Sequence, residues 1–255
     1  MNKFEKAAFL PADILIPKGI DMQRWSVVAC DQYTSQPDYW KGVEEFVGGF
    51  ASTLKIVFPE FFLEDGGYDE RIKSINQNMD TYLKNDVFET LENSFVYVER
   101  TLSNGKTRRG IIGVVDLEAY DYRSNAKSLI RATEETVVER IPPRIKIRID
   151  APMELPHIML LIDDDEKTVI EPWSDKKADL QRLYDFELME GGGHIRGYKI
   201  PMDIASPIAE GLNALLEKSD LLFAVGDGNH SLATAKECWE LAKKQLTEED
   251  RKSVV

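Results

Sequence analysis

The sequence predicts a mixed α/β (α+β) fold, a mixed sheet built from β-hairpins and flanked by helices. Three observations carry that expectation. Short apolar runs of strand length are interspersed with longer segments of helical spacing, without a clean strand–helix alternation. The Asn104-Gly105 turn signal lies between "SFVYVERTL" and "RRGIIGVVDLE", both rich in β-branched and aromatic residues. At 221–244 an apolar run passes through Gly-Asp-Gly-Asn-His-Ser into a helical pattern.

In chain order, "DILIP" (13–17) and "WSVVAC" (25–30) read as strands. Residues 38–47 read as a helix with Tyr39, Val43, Phe46 and Val47 on one side. A longer helix is expected over 68–92, from the spacing of Ile72, Ile75, Met79, Tyr82 and Leu83. After the Asn104-Gly105 hairpin, a second is expected from "HIMLLI" and "TVIEP" around Asp163-Asp164-Asp165-Glu166. A third is expected from "FELME" and "HIRGYKI" around Gly191-Gly192-Gly193. Ser206-Pro207 reads as an N-cap and first helical residue, followed by a stripe of Ile208, Leu212, Leu215 and Leu216. Leu221–Val225 reads as a buried strand, and helical spacing resumes after Ser231 with Leu232, Ala235, Trp239 and Ala242. "LTEEDRKSVV" closes on Val254-Val255 like a strand beginning. Residues 1–255 are therefore expected to be one mixed α/β domain, the N-terminal part of a longer chain.

Bulk properties narrow the function. Forty-five acidic against 32 basic residues give a net charge of −13, a field that repels nucleic acid while leaving room for a local anion pocket. Cys30 and Cys238 are too few for a disulfide framework. The N-terminus lacks the apolar core of a signal peptide, and no stretch approaches the roughly 20 apolar residues of a membrane span. The expectation is a cytoplasmic protein with no membrane or nucleic-acid partner and a small-molecule ligand; the oligomeric state is not legible. The dispersed histidines and cysteines have no zinc spacing, and no Gly-x-Ser-x-Gly elbow is present. His157 reads as a hydrogen-bonded structural histidine beside an apolar strand.

Two constellations carry the chemistry. The 226–231 turn sits between a strand's C-terminal end and a helix's N-terminal end, where α/β sheets bind ligands and free N–H groups favour anions. Gly226 and Gly228 allow close backbone approach. Asn229, His230 and Ser231 can donate hydrogen bonds, and Asp227 can orient the loop, hold Mg²⁺ or accept a proton. The same pattern also reads as a plain strand–helix turn with Ser231 as N-cap. "LIRATEETVVERIPPRIKIR" (129–148) gathers Arg131, Arg140, Arg144, Lys146 and Arg148 around Glu134, Glu135 and Glu139. Arginine forks suit phosphate or carboxylate, and a glutamate among them can act as a general base. A solvated ion-pair face is the alternative. "VVACDQYTSQPDYW" ends an apolar run at Asp31 and leads through a polar loop to a helix.

Three stretches together resemble domain of unknown function 1015: "VVACDQY", "LIRATEETVVERIPPRIKIR" with "PHIMLLIDD", and "HIRGYKI" through "SPIAEGLNALLEKSDLLFAVGDGNHSLATA". By position, the resemblance implies functional roles for Asp31, for Arg131, Glu134 and Thr136, and for Asp227, Gly228 and His230. The chain departs from the family's last motif, with Asn229 for a histidine, Ser231 for an arginine, Leu232 for a tyrosine and Ala233 for a glutamate. The arginine lost at 231 would be a phosphate fork, so a phosphate must lean on backbone amides or on Arg131, Arg140 and Arg144. This marks a divergent Asp-Gly-Asn-His-Ser subgroup. The turn is also similar to the ParB/sulfiredoxin-type nucleotide-binding turn, which implies Mg²⁺ with ATP or ADP. Phosphate would rest on 226–231, Asp227 would hold Mg²⁺, and Glu134 would deprotonate a small hydroxyl-bearing substrate. The expected function is nucleotide or phosphorylated-metabolite binding with phosphotransfer. A non-catalytic sensor and a structural subunit are the rivals.

Overall fold

The computed structural model describes residues 3–63, 66–155 and 157–247. Along the chain, β1 (Phe9–Leu10) and β2 (Ala12–Pro17) precede α1 (Met22–Trp25), α2 (Pro37–Val47) and α3 (Tyr68–Lys84). Then come β3 (Phe88–Thr101), β4 (Thr107–Ile112), β5 (Val114–Val115), β6 (Tyr120–Asp121), β7 (Ile130–Ala132) and α4 (Ile141–Arg148). The remaining elements are β8 (Met159–Leu161), α5 (Pro172–Lys176), β9 (Arg182–Glu187), β10 (His194–Pro201), α6 (Ser206–Lys218), β11 (Phe223–Asp227) and α7 (Asn229–Ala242). The fold is mixed α/β.

Strand β3 organises an antiparallel sheet. One edge pairs with β10, whose other edge takes β9; the opposite edge is shared by β2 along its first half and β4 along its second. The expected Asn104-Gly105 hairpin is β3–β4, with Thr101 opposite Thr107 and Gly105 at φ +79°. The triple-glycine hairpin is β9–β10, with Glu187 opposite His194. A smaller sheet runs in the order β6-β7-β11-β8, with β6, β7 and β11 parallel and β8 antiparallel. One apolar core joins the two sheets: Phe95 and Tyr97 of β3 and Ile200 of β10 cluster with Ile130 of β7, Val225 of β11, Leu212 of α6 and Leu232 of α7.

Four sequence expectations need correction. The 68–92 helix stops at Lys84. The chain turns at Asn85-Asp86, with Asp86 at φ +54°, and residues 88–91 join β3 opposite Pro17, Ile16, Leu15 and Ile14. Pairing with a complete strand outweighs a helical spacing that was fading there. "WSVVAC" is not a strand: Trp25 ends α1, capped by the Asp21 carboxylate, and the following backbone is satisfied by a side chain instead. Thr53 Oγ1 accepts the Val27 N–H at 3.1 Å and donates to Trp25 O at 2.8 Å.

The second hairpin is absent. Its first half, β8, pairs with β11, while Asp164 accepts the N–H groups of Thr168 (2.7 Å) and Val169 (2.8 Å) and turns the chain toward α5. Ser206 is the first residue of α6 rather than its cap, and its hydroxyl bonds Glu210 at 2.8 Å. Smaller shifts move the strand expected at 221–225 to Phe223–Asp227 and start α7 at Asn229, so Ser231 lies inside the helix and is not its cap. Val254-Val255 lie outside the described residues.

Candidate functional site

The site is created by two neighbouring parallel strands. Ile130, Arg131 and Ala132 of β7 lie opposite Phe223, Ala224 and Val225 of β11, so both chains leave the sheet at the same edge. Such an edge, outside the carboxyl ends of parallel strands, forms a natural crevice. The two departing segments are then tied together. Thr133 donates its hydroxyl to Val225 O at 2.6 Å and its N–H to Asn229 Oδ1 at 3.4 Å. Asn229, 5% exposed, donates Nδ2 to Glu134 Oε1 at 3.4 Å. His230 Nε2 accepts the Val137 N–H at 3.2 Å, which puts the ring proton of the neutral form on Nδ1.

Beyond Val137 the chain enters α4, whose first turn holds Pro142 and Pro143, where a missing N–H costs nothing. Arg144 of α4 grips Glu60 through Nε (2.9 Å) and Nη2, and donates Nη1 to Arg140 O at 2.8 Å. Glu60 in turn donates its N–H to Cys30 O at 2.7 Å, which brings the Asp31 loop alongside. Together these segments border an open cleft with a cavity volume of about 250 Å³. From the first segment it is lined by Glu134, Arg140 and Arg144, and from the turn by Asp227, Gly228, Asn229, His230 and Ser231. Asp31, Thr34 and Glu60 complete the wall.

Its electrostatics are uneven. Arg144 is neutralised by Glu60, whereas the Arg140 guanidinium has no hydrogen-bond or ion-pair partner among the described residues. Helix α7 opens on Gly228, whose φ of +81° is the left-handed geometry that glycine tolerates. Leu232 is the first residue to donate within the helix, to Gly228 O at 2.9 Å, so the N–H groups of Asn229, His230 and Ser231 have no intrahelical acceptor. Asp227 Oδ1 accepts the Gly228 N–H at 2.9 Å and fixes the turn. Asp31 Oδ1 is buried with no hydrogen-bond partner among the described residues. Burial, then the nearby Arg144 and Arg140, hold the His230 pKa below its ordinary value against the opposing pull of Glu134 and Glu60. Burial, reinforced by Asp31 and Glu60, pushes the Cys30 thiol up to about 12.

Three residues expected at the site are not in the cavity wall. Arg131 donates Nε to Ser128 O at 2.8 Å and pairs with Asp220 at 3.2 Å. Thr136 is buried, with its hydroxyl unpartnered among the described residues. Gly226 is on β11, where an added Cβ would lie 2.8 Å from the Leu161 side chain, so its role is close packing against β8. His194 belongs to the other sheet, bonded to Glu187 (2.7 Å) and Asp185 (2.5 Å).

Thr34, Glu60 and His157 join the site without a sequence motif of their own. His157 Nε2 lies 2.7 Å from Ser231 Oγ, and its Nδ1 is 3.2 Å from Leu155 O. The lone clue was the histidine's position just before β8.

Among the described residues no group of three or more His, Cys, Asp or Glu side chains is arranged for a metal. Mg²⁺ asks for less, since it commonly rests on one or two carboxylates plus substrate phosphates and water. Asp227, with one oxygen unused by any hydrogen bond or ion pair among the described residues, and Asp31, with its orphaned Oδ1, fit that modest demand. No described helix is long and apolar enough to cross a membrane.

No curated protein and no solved structure matches the chain significantly. A family model does, over residues 15–254, nearly the whole length, including every segment that borders the cavity. The chain belongs to the family described as protein of unknown function DUF1015.

Proposed function

We propose that this cavity binds a phosphorylated small molecule or nucleotide and transfers a phosphoryl group to a small hydroxyl-bearing metabolite. The observation that carries the reading is the unpaired Arg140 guanidinium bordering the same cavity as the first turn of α7. A free arginine fork and free helix N–H groups both bind phosphate oxygens well. The wall also carries the carboxylates of Asp31, Glu134 and Asp227, so a phosphate would sit at the Arg140 and helix N–H donors while a divalent cation offsets the acids.

Each residue then has a role. Arg140 and the N–H groups of 229–231 hold the phosphate, and Asn229 keeps the two loops in register. Glu134, in the cavity wall and exposed to water, accepts the proton of the acceptor hydroxyl. Asp227 and Asp31 are the carboxylates that would hold Mg²⁺ with ATP or ADP; bound there, the ion would neutralise charge on the phosphates. His230 is kept neutral by its surroundings and offers an acceptor already used to fix Val137, so it shapes the mouth of the cavity. Thr136 and Arg131 support the loop from outside the wall. A cytoplasmic setting suits such a ligand.

Thermal-shift measurements with ADP, ATP and phosphorylated hydroxy metabolites, with and without Mg²⁺, test this reading. A ligand at 100 times its dissociation constant adds about 2.7 kcal/mol to stability. Stabilisation together with slow turnover that Glu134→Ala abolishes is the expected result. Stabilisation without turnover would make the protein a sensor, and no shift with any phosphorylated ligand would favour a structural subunit.

A further inference from the structure

The Ser231–His157 pair is not needed to hold a phosphate, and its geometry has a more specific meaning. A carbonyl oxygen only accepts hydrogen bonds, so the contact of His157 Nδ1 with Leu155 O at 3.2 Å requires the proton on Nδ1. In the neutral ring Nε2 then carries a lone pair, and the hydroxyl of Ser231 is the donor across the 2.7 Å contact. A hydroxyl bonded to a base whose far nitrogen is fixed by a third group is the arrangement that activates a serine nucleophile. Ser231 also borders the cavity that contains Arg140, and it sits in the first turn of α7 beside the free N–H groups. Donors for the charge that develops during attack are therefore next to the nucleophile.

We infer that Ser231 is a nucleophile toward phosphorus, with His157 as its general base, so that phosphoryl transfer in this cavity passes through a phosphoserine. This rests on the phosphotransfer reading above and adds a covalent step to it. Ser231 Oγ bonds to the phosphorus of a bound phosphate ester or anhydride. The bond from phosphorus to the departing oxygen breaks with its electron pair. The Oγ proton passes to His157 Nε2 and from there to the departing oxygen. In the second half, the acceptor hydroxyl gives its proton to Glu134 and attacks the phosphoserine; the Ser231 Oγ–P bond breaks with its electron pair, and Oγ takes up the proton that Glu134 received, which returns both bases to their starting state.

The test uses a fluorophosphonate probe on the intact chain, with the labelled site read by peptide mass spectrometry. Attack by Ser231 expels fluoride, so an adduct at Ser231 is expected on the native protein and none there in Ser231→Ala. His157→Phe, checked for folding by its melting curve, is expected to label roughly 10²–10⁴-fold more slowly. Absence of an adduct at Ser231 in the native protein, or labelling of His157→Phe at the wild-type rate, overturns the inference. Should His157→Phe fail to fold, His157→Gln gives the same comparison. The probe is not a nucleotide, so labelling can fail while nucleotide binding stands, and nucleotide binding can fail while labelling stands.

Discussion

His230 and Val137 meet across 93 residues of sequence, the Val137 N–H donating to His230 Nε2 at 3.2 Å. This contact requires an unprotonated Nε2, and the surroundings favour that state: burial first, then Arg144 and Arg140, hold the His230 pKa below 6.5. The unfolded chain therefore takes up a proton on this histidine at higher pH than the folded chain does. The His230 contribution to stability is intact above the unfolded pKa of about 6.5. It is lost as pH falls through that value toward the lower folded pKa. Urea unfolding at pH 7.5 and pH 5 is expected to show wild type losing more stability on acidification than His230→Gln. An equal loss in both proteins would remove His230 from the pH response.

Glu60 and Arg144 form an ion pair on the cavity wall, with both side chains mostly buried. Glu60→Gln leaves a cation without its counter-charge and is expected to cost about 1–3 kcal/mol in urea unfolding. The same change leaves two arginines available to an anion instead of one. Inorganic phosphate is accordingly expected to stabilise Glu60→Gln more than wild type, read as the larger melting-temperature rise at equal phosphate concentration.

Gly228 sets the turn. At φ +81°, a side chain there is strained, and an added Cβ would come within 3.1–3.2 Å of Ile158 Cγ1 and Cα. Gly228→Ala is expected to destabilise by about 1–3 kcal/mol and to weaken phosphate binding more than Gly226→Ala does. Denaturant midpoints and phosphate titrations of the two variants check the order. In Gly226→Ala the nearest atoms to the new methyl belong to the Leu161 side chain, and neither residue lines the cavity.

Cys30 lies next to the cavity wall, yet its thiol is expected to be silent. With its pKa pushed up to about 12, and that of Cys238 raised by burial, neither thiol forms much thiolate near neutrality. A disulfide-exchange reagent at pH 8 should react slowly with the native protein and rapidly with both cysteines in denaturant. Rapid native reaction would mean that the Cys30 loop opens.

Much of the site was legible because its signals are local. Gly-Asp-Gly after an apolar run marks a strand leaving its sheet through a tight turn. Arg140, Arg144 and Glu134 stand in one basic segment of the sequence and border the same cavity, although the helix that begins at Ile141 across Pro142-Pro143 was not legible. The hairpins at Asn104-Gly105 and Gly191-Gly193 were legible for the same reason. What escaped was decided by tertiary partners. Glu60 has no motif of its own; it matters because α4 delivers Arg144 to it. Thr53 sequesters the backbone that "WSVVAC" would have used as a strand, and β2 draws residues 88–91 out of a helical pattern. His157 looked structural from its neighbours, and only the fold brings Ser231 to it.

Calorimetric titration of ADP with Mg²⁺ into wild type, Arg140→Ala and Arg131→Ala tests most directly whether the cavity is the phosphate site. Charge-assisted hydrogen bonds contribute about 1.5–3 kcal/mol. Loss of Arg140 is therefore expected to weaken binding roughly 10- to 100-fold. Arg131, paired with Asp220 outside the wall, should be dispensable to within about twofold. Wild-type affinity in Arg140→Ala, or an equal loss in both variants, would contradict phosphate binding in this cavity.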